Sequence, residues 1–119
     1  MSDLIFYMGL ATLLTHELDA MTHQEWQLLF ILRKLPESLA KQLFVILHIP
    51  LISILLWLIN NESMIVEQWA KIAISLFLIV HTGLHHRLRN HRRDTFHSLL
   101  STTLIYISGV LGLLHILTI

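Results

Sequence analysis

The sequence predicts an all-α protein, a bundle of four transmembrane helices with a short interfacial helix between the first two spans. Hydrophobic residues make up 55% of the chain and charged residues only 13%, whereas a soluble domain contains about 25% charged residues. Four apolar segments each approach the ~20 residues that a helix needs to cross a bilayer. The second segment is apolar on every face, unlike the amphipathic helices of a soluble bundle. At 119 residues, we expect a single domain covering 1–119.

The first predicted span covers residues 4–20. It is apolar until its last five residues, which include His16, Glu17 and Asp19. The N-terminal segment is not typical of a secretory signal, because Asp3 stands where a signal carries positive charge and no small-residue cleavage site follows the apolar run. We therefore expect this segment to be retained as a membrane helix.

A short interfacial helix is predicted at residues 24–34, between the first two spans. This segment combines Trp26 with several aliphatic residues and ends in two basic residues, a pattern typical of a helix that lies at headgroup level. The second span covers residues 39–59 and contains Pro50. Proline is costly inside a soluble helix but is tolerated in a membrane helix, so Pro50 also favours the membrane interpretation.

The third and fourth spans are predicted at residues 66–88 and 96–118. The third is rich in histidine near its end, and the fourth contains no Lys, Arg, Asp or Glu. Most basic residues fall in the loops after the first and third spans, and positively charged loops stay in the cytoplasm. We therefore predict a multi-pass protein with both termini on the outer side. The formal net charge of zero gives no indication of nucleic-acid binding.

Histidine is the unusual component, with nine residues in a chain that has no cysteine and hence no thiolate ligand. At ~1.5 Å per helical residue, several ionisable side chains fall in the cytoplasmic half of the bundle, where such groups are costly and usually functional. Imidazole and carboxylate ligands suit zinc, iron or manganese, so we predict a transition-metal site there. Its candidate ligands are His16, Asp19, His48, His81 and His85, with Glu17 beside the metal as a catalytic general base.

The positions of the histidines distinguish the candidate metal ligands from the remaining histidines. His81 and His85 are four residues apart, so they share one helix face and can chelate one metal ion. His86 is rotated from His85 by about 100°. We expect polar interfacial roles for His86, His91 and His97, and a structural role for His115.

Four motifs carry a resemblance to a known family: THELDA (15–20), HIP (48–50), HxxLH (81–85) and FHSLLS (96–101). In this order they resemble an uncharacterised family of small bacterial four-span membrane proteins over essentially the whole chain, which implies the bacterial inner membrane. The chain is also distantly similar to the HXXEE-domain membrane proteins, whose motif acids and histidines suggest an enzyme. Here Ala20 replaces the second acid, so the resemblance implies a fold and a site but no established activity.

Three functions remain open at this point. The first is a metal-binding membrane protein, including a metal-dependent enzyme with a small-molecule or lipid substrate. The second is a b-type haem protein with His16 and His81 as axial ligands. The third is an accessory or assembly subunit, or a transporter-like proton relay. A homodimer would enlarge the available cavity, and Gly109 and Gly112 would permit close helix contact.

Overall fold

The structure is a computed structural model that describes residues 1–22, 34–88 and 99–119. Within these ranges the chain forms four helices, α1 (Ser2–Thr22), α2 (Glu37–Ile59), α3 (Met64–Leu88) and α4 (Leu99–Thr118). The predicted all-α bundle is therefore confirmed. The interfacial helix predicted at 24–34 lies, except for its last residue, outside the described ranges, as do His91 and His97.

Three of these helices are long and apolar enough to cross a membrane, over Glu37–Ile59, Met64–Arg87 and Leu99–Thr118. Only 11% of the most apolar window of α2 is buried inside the described protein, so much of its apolar surface is not covered by the other described helices. The α1 helix is not among the three because acidic residues and His16 interrupt its apolar sequence. That α1 also crosses the membrane stays a prediction.

The ends of α2 follow from the residues around them. Pro36 precedes the helix with φ −53°, the conformation to which its ring is restricted, and Glu37 places a negative charge at the positive end of the helix dipole. At the other end, the Asn60 backbone N–H and side-chain amide both donate to the Leu56 carbonyl. The Ser63 N–H donates to the Asn61 side chain, which closes a tight turn and makes α2 and α3 antiparallel neighbours.

The core lies where α1, α3 and α4 pack together, with α2 packed against α3. Apolar residues of α1 and α3 form its centre, joined by one residue from the end of α2. The cluster consists of Phe6, Leu10, Leu13, Ile59, Ile74 and Leu78.

Two glycines allow α4 to approach α3 closely. A Cβ atom at Gly112 would lie 2.7 Å from the Ser75 carbonyl oxygen, and one at Gly109 would lie 2.5 Å from Thr82 Oγ1. The small residues considered above for a homodimer contact are thus buried inside the chain's own α3–α4 contact. The homodimer itself stays a prediction.

We expect Gly112→Ala to destabilise the bundle by about 1–3 kcal/mol, because the added methyl group collides with backbone that cannot move aside alone. Gly83→Ala is the matched control, since nothing lies within 4 Å of a Cβ atom there, and alanine favours a helix over glycine by roughly 0.5–1 kcal/mol. Thermal unfolding in detergent measures both variants. Equal stability of the two would contradict the close α3–α4 approach.

Candidate metal centre

Three histidines from two helices meet in the interior of the bundle. His16 comes from α1, and His81 and His85 come from α3; one ring nitrogen of each lies within 4.8 Å of the others. The ring centroids are 4.9 Å apart for His16 and His81, 5.4 Å for His16 and His85, and 4.5 Å for His81 and His85. We call these three residues the three-histidine cluster.

The cluster is buried because it continues the apolar faces of two helices. His16 follows Leu13 of the core by three residues on α1, and His81 follows Leu78 by three residues on α3. Positions three apart lie on one helix face, so both histidines point inward. The exposed fractions are 1% for His16, 9% for His81 and 6% for His85. Buried titratable groups that converge in this way mark a candidate functional site.

The geometry is compatible with a metal ion after small adjustments. Tetrahedral zinc with Zn–N bonds of ~2.0–2.1 Å places its nitrogen ligands about 3.4 Å apart. The ring nitrogens already lie within 4.8 Å of each other. Side-chain rotations that move each nitrogen by about an ångström would therefore bring them to the separation that zinc requires. The His81 ring stacks on Phe77 at 5.4 Å and 23°, which limits its rotation. Three imidazoles leave a fourth coordination position open, as in catalytic zinc sites.

Beside the cluster, Glu17 of α1 and His48 of α2 form a hydrogen-bonded pair. Glu17 Oε2 lies 2.9 Å from His48 Nε2, and His48 Nδ1 lies 2.6 Å from the Phe44 carbonyl oxygen. Because a carbonyl oxygen only accepts, Nδ1 must carry a proton and donate it. The contact between Nε2 and Glu17 then also needs one proton, held by either the imidazole or the carboxyl group. In both cases the pair has no net charge and holds one transferable proton.

Asp19 of α1 contacts α4, whereas the other predicted ligands contact residues of α1, α2 or α3. The Ser101 hydroxyl of α4 donates a short hydrogen bond to Asp19 Oδ2, and Ser101 is fully buried. The structure therefore brings together His16, His81 and His85 from the predicted ligand set. It places His48 against Glu17, and Asp19 against Ser101. A ligand role for His48 or Asp19 stays a prediction.

A second polar group lies at the opposite end of the bundle and was not predicted from the sequence. Lys71 Nζ donates to Asp3 at 3.0 Å and to Glu67 at 2.6 Å. His115, expected to be structural, is 1% exposed and its Nδ1 lies 2.7 Å from Ser75 Oγ. The only sequence signal for this group was the spacing of four between Glu67 and Lys71.

Asp3 lies just before the predicted first span, and its ion pair affects its protonation. Lys71 lowers the pKa of the Asp3 carboxyl group, first through its hydrogen bond and then through its charge. Because the pKa is lower in the folded protein, the pair stabilises the fold above the carboxyl group's ordinary pKa. That stabilisation is lost as the pH falls through the folded pKa.

Together, the fold and the cluster define a small all-helical protein with membrane-type helices and a buried group of histidines that could hold a metal ion. The chain belongs to a family of unknown function, DUF6713, which matches residues 2–119. The expectation of an uncharacterised family is confirmed, whereas the similarity to HXXEE-domain proteins stays a prediction. No curated protein and no solved structure matches the chain.

Proposed function

We propose that this protein is a four-span protein of the bacterial inner membrane that binds one transition-metal ion at the three-histidine cluster. The observation that carries the proposal is the convergence of three buried imidazoles from two helices, with ring nitrogens within 4.8 Å of one another. Zinc, iron and manganese all accept imidazole ligands. The basic loops favour a position for the cluster in the cytoplasmic half of the bilayer.

The pairing of its polar residues supports a membrane-spanning α1. The predicted span at residues 4–20 of this helix corresponds to about 26 Å at ~1.5 Å per residue, within the range of lengths of membrane helices. Its acidic side chains contact other helices: Asp3 contacts Lys71, Glu17 contacts His48 and Asp19 contacts Ser101. Glu17 and Asp19 thus contact neighbouring helices, as ionisable residues of membrane helices typically do.

A metal-dependent enzyme is the activity that these residues suit best. A metal at the cluster would supply Lewis acidity and lower the pKa of bound water. Glu17 is adjacent to His16 in sequence and shares one proton with His48, so the pair can take up or release a proton beside the metal. Glu17 is therefore our candidate general base.

The contacts within the cluster favour a metal ion over haem. The rings of His16 and His81, the axial ligands that a haem would need, are in edge contact with centroids 4.9 Å apart. A porphyrin between them would have to force α1 and α3 apart.

A proton relay along the centre of the bundle is also less well supported. On α3, Ile74 and Leu78 lie between Lys71 and His81, and both are buried and apolar. Apolar side chains have no group that could pass a proton on.

The metal content of the purified protein tests this proposal. We expect about one equivalent of zinc, iron or manganese per chain in protein purified through a tag without histidines and without nickel resin. Circular dichroism confirms that the sample is folded. A folded sample without stoichiometric metal would reject the metal site and favour the accessory-subunit alternative, which a co-purifying protein complex would support.

A further inference from the structure

An apolar cavity of about 320 Å³ lies between α1, α2 and α3. This volume is at the lower end of the range of small-molecule sites, roughly 300–1,000 Å³. The cavity exists partly because α3 contributes the small side chains of Ala70 and Ala73 opposite the leucines of α2. The α2 helix packs against α3 but not closely against the α1 backbone in the described residues. The Glu17–His48 pair bridges the remaining gap between α1 and α2.

The cavity has the length and the lining of a hydrocarbon site. Along α2 it extends from His48 to Leu58, which is about 15 Å at ~1.5 Å per residue. Its walls on α2 and α3 lie on helices that are apolar enough to cross a membrane, and Leu51 and Ala73 in its lining are exposed. A chain from the bilayer can therefore enter sideways without passing through water.

One end of the cavity is polar but carries no net charge. Glu17 and His48 are the polar members of its described lining, and no lysine or arginine is among those residues. The pair shares one proton and sums to zero charge, as derived above from the Phe44 contact. The Nδ1 proton is donated to the Phe44 carbonyl and the shared proton lies between Nε2 and Glu17, so the second Glu17 oxygen can only accept, as it can from a hydroxyl group. The pair cannot neutralise a phosphate group, which would be costly to bury here without a cation.

We propose that this cavity binds one hydrocarbon chain of an uncharged membrane amphiphile, with a hydroxyl group of that molecule donating to Glu17 of the Glu17–His48 pair. Phe77 lines the cavity and also stacks on His81. The cavity therefore adjoins the three-histidine cluster through the Phe77 ring. That this molecule is the substrate of the metal centre rests on the proposed function, whereas the binding itself does not.

Photolabelling of the full chain in phosphatidylcholine vesicles tests the site. The probe is a monoacylglycerol with a diazirine in its acyl chain, and mass spectrometry locates the label. We expect saturable labelling of the cavity-lining segments of α1, α2 and α3. Ala73→Phe fills the cavity and is expected to reduce this labelling at least fivefold, with Ala73→Leu as a milder variant. Ala11→Phe is the matched control, because Ala11 is exposed on α1 outside the cavity lining.

Competition adds a test of the polar end. An unlabelled monoacylglycerol should displace the probe at least fivefold more effectively than phosphatidic acid with the same chain. Labelling that does not saturate, or that Ala73→Phe and Ala11→Phe affect equally, would reduce the cavity to ordinary lipid contact and overturn the proposal. A change of oligomeric state in Ala73→Phe alone would assign the groove to a second copy and also overturn it.

Metal analysis of the same samples separates the two proposals. Metal bound equally in wild type and Ala73→Phe, with labelling lost only in the variant, supports both. Saturable labelling in a folded protein without metal would reject the proposed function but support the lipid site.

Discussion

Replacing His81 with alanine is expected to weaken metal binding by at least about a hundredfold. The variant removes one of three ligand nitrogens from a buried site, and even residues that only support metal ligands typically cost 10–100-fold when mutated. His85→Ala and His16→Ala should have comparable effects, because each removes the same kind of ligand from the same cluster. Titration of metal-depleted protein with zinc measures the loss directly.

His86→Ala is the matched control for these variants. His86 is adjacent to His85 on α3, but its side chain is exposed and its Nδ1 bonds to the Tyr106 hydroxyl group. Its loss should leave zinc affinity unchanged. Equal losses in His81→Ala and His86→Ala would mean that metal binds at the exposed end of α3 and would contradict the buried site.

A melting-temperature measurement distinguishes lost ligation from lost folding. Zinc at 100 times its dissociation constant should stabilise the wild-type protein by about 2.7 kcal/mol. The same zinc concentration should leave His81→Ala almost unaffected if the variant is folded. If His81→Ala does not fold, circular dichroism will show a low helix content. His81→Gln then replaces it in the test, because glutamine also removes the imidazole ligand but is closer to histidine in size.

Breaking the Glu17–His48 pair is the second large effect that we expect. The pair joins α1 to α2 at 2.9 Å, and both side chains are mostly buried, with exposed fractions of 24% and 20%. Glu17→Ala, His48→Ala and the double variant form a thermodynamic cycle. We expect a coupling of about 1–2 kcal/mol, the upper range for polar contacts between membrane helices.

The Glu37–Lys41 ion pair on α2 is the control for this cycle. Its atoms are 3.0 Å apart, but the side chains are 63% and 40% exposed, and such pairs within one helix contribute about 0.3–0.5 kcal/mol. Unfolding in mixed detergent measures both cycles. Additive effects of Glu17→Ala and His48→Ala would show that the pair does not hold α1 and α2 together.

Hydropathy was sufficient to predict the helices. The segments predicted at 4–20, 39–59, 66–88 and 96–118 overlap α1 to α4 in the described residues, because long apolar segments of nearly fixed length are typical of membrane helices. The predicted and observed ends of α2 coincide at Ile59, because the polar residue Asn60 follows directly.

Depth and periodicity predicted the site in part. The spacing of His81 and His85 placed both on one face, and the depth of His16 placed it at the same level. The same depth argument also grouped His48 with them; the structure places His48 2.9 Å from Glu17, and its role as a metal ligand stays a prediction. The lateral position of a helix depends on tertiary packing, which the depth of a residue along its own helix does not encode.

The second polar group, around Lys71 and His115, shows the same limit. His115 had no partner within reach along its own helix, and its partner Ser75 is 40 residues away in the chain. Only the close approach of α4 to α3, which Gly112 permits, brings the two together.

X-ray absorption spectroscopy of the purified protein tests the central claim most directly, because it reports the ligands of a bound metal. For the zinc form, we predict a first coordination sphere with about three imidazole nitrogens at ~2.0–2.1 Å. The imidazole signal should decrease by about one ring in His85→Ala and stay unchanged in His86→Ala. A wild-type spectrum with only oxygen ligands, or with the same imidazole count in His85→Ala, would contradict a metal centre at His16, His81 and His85.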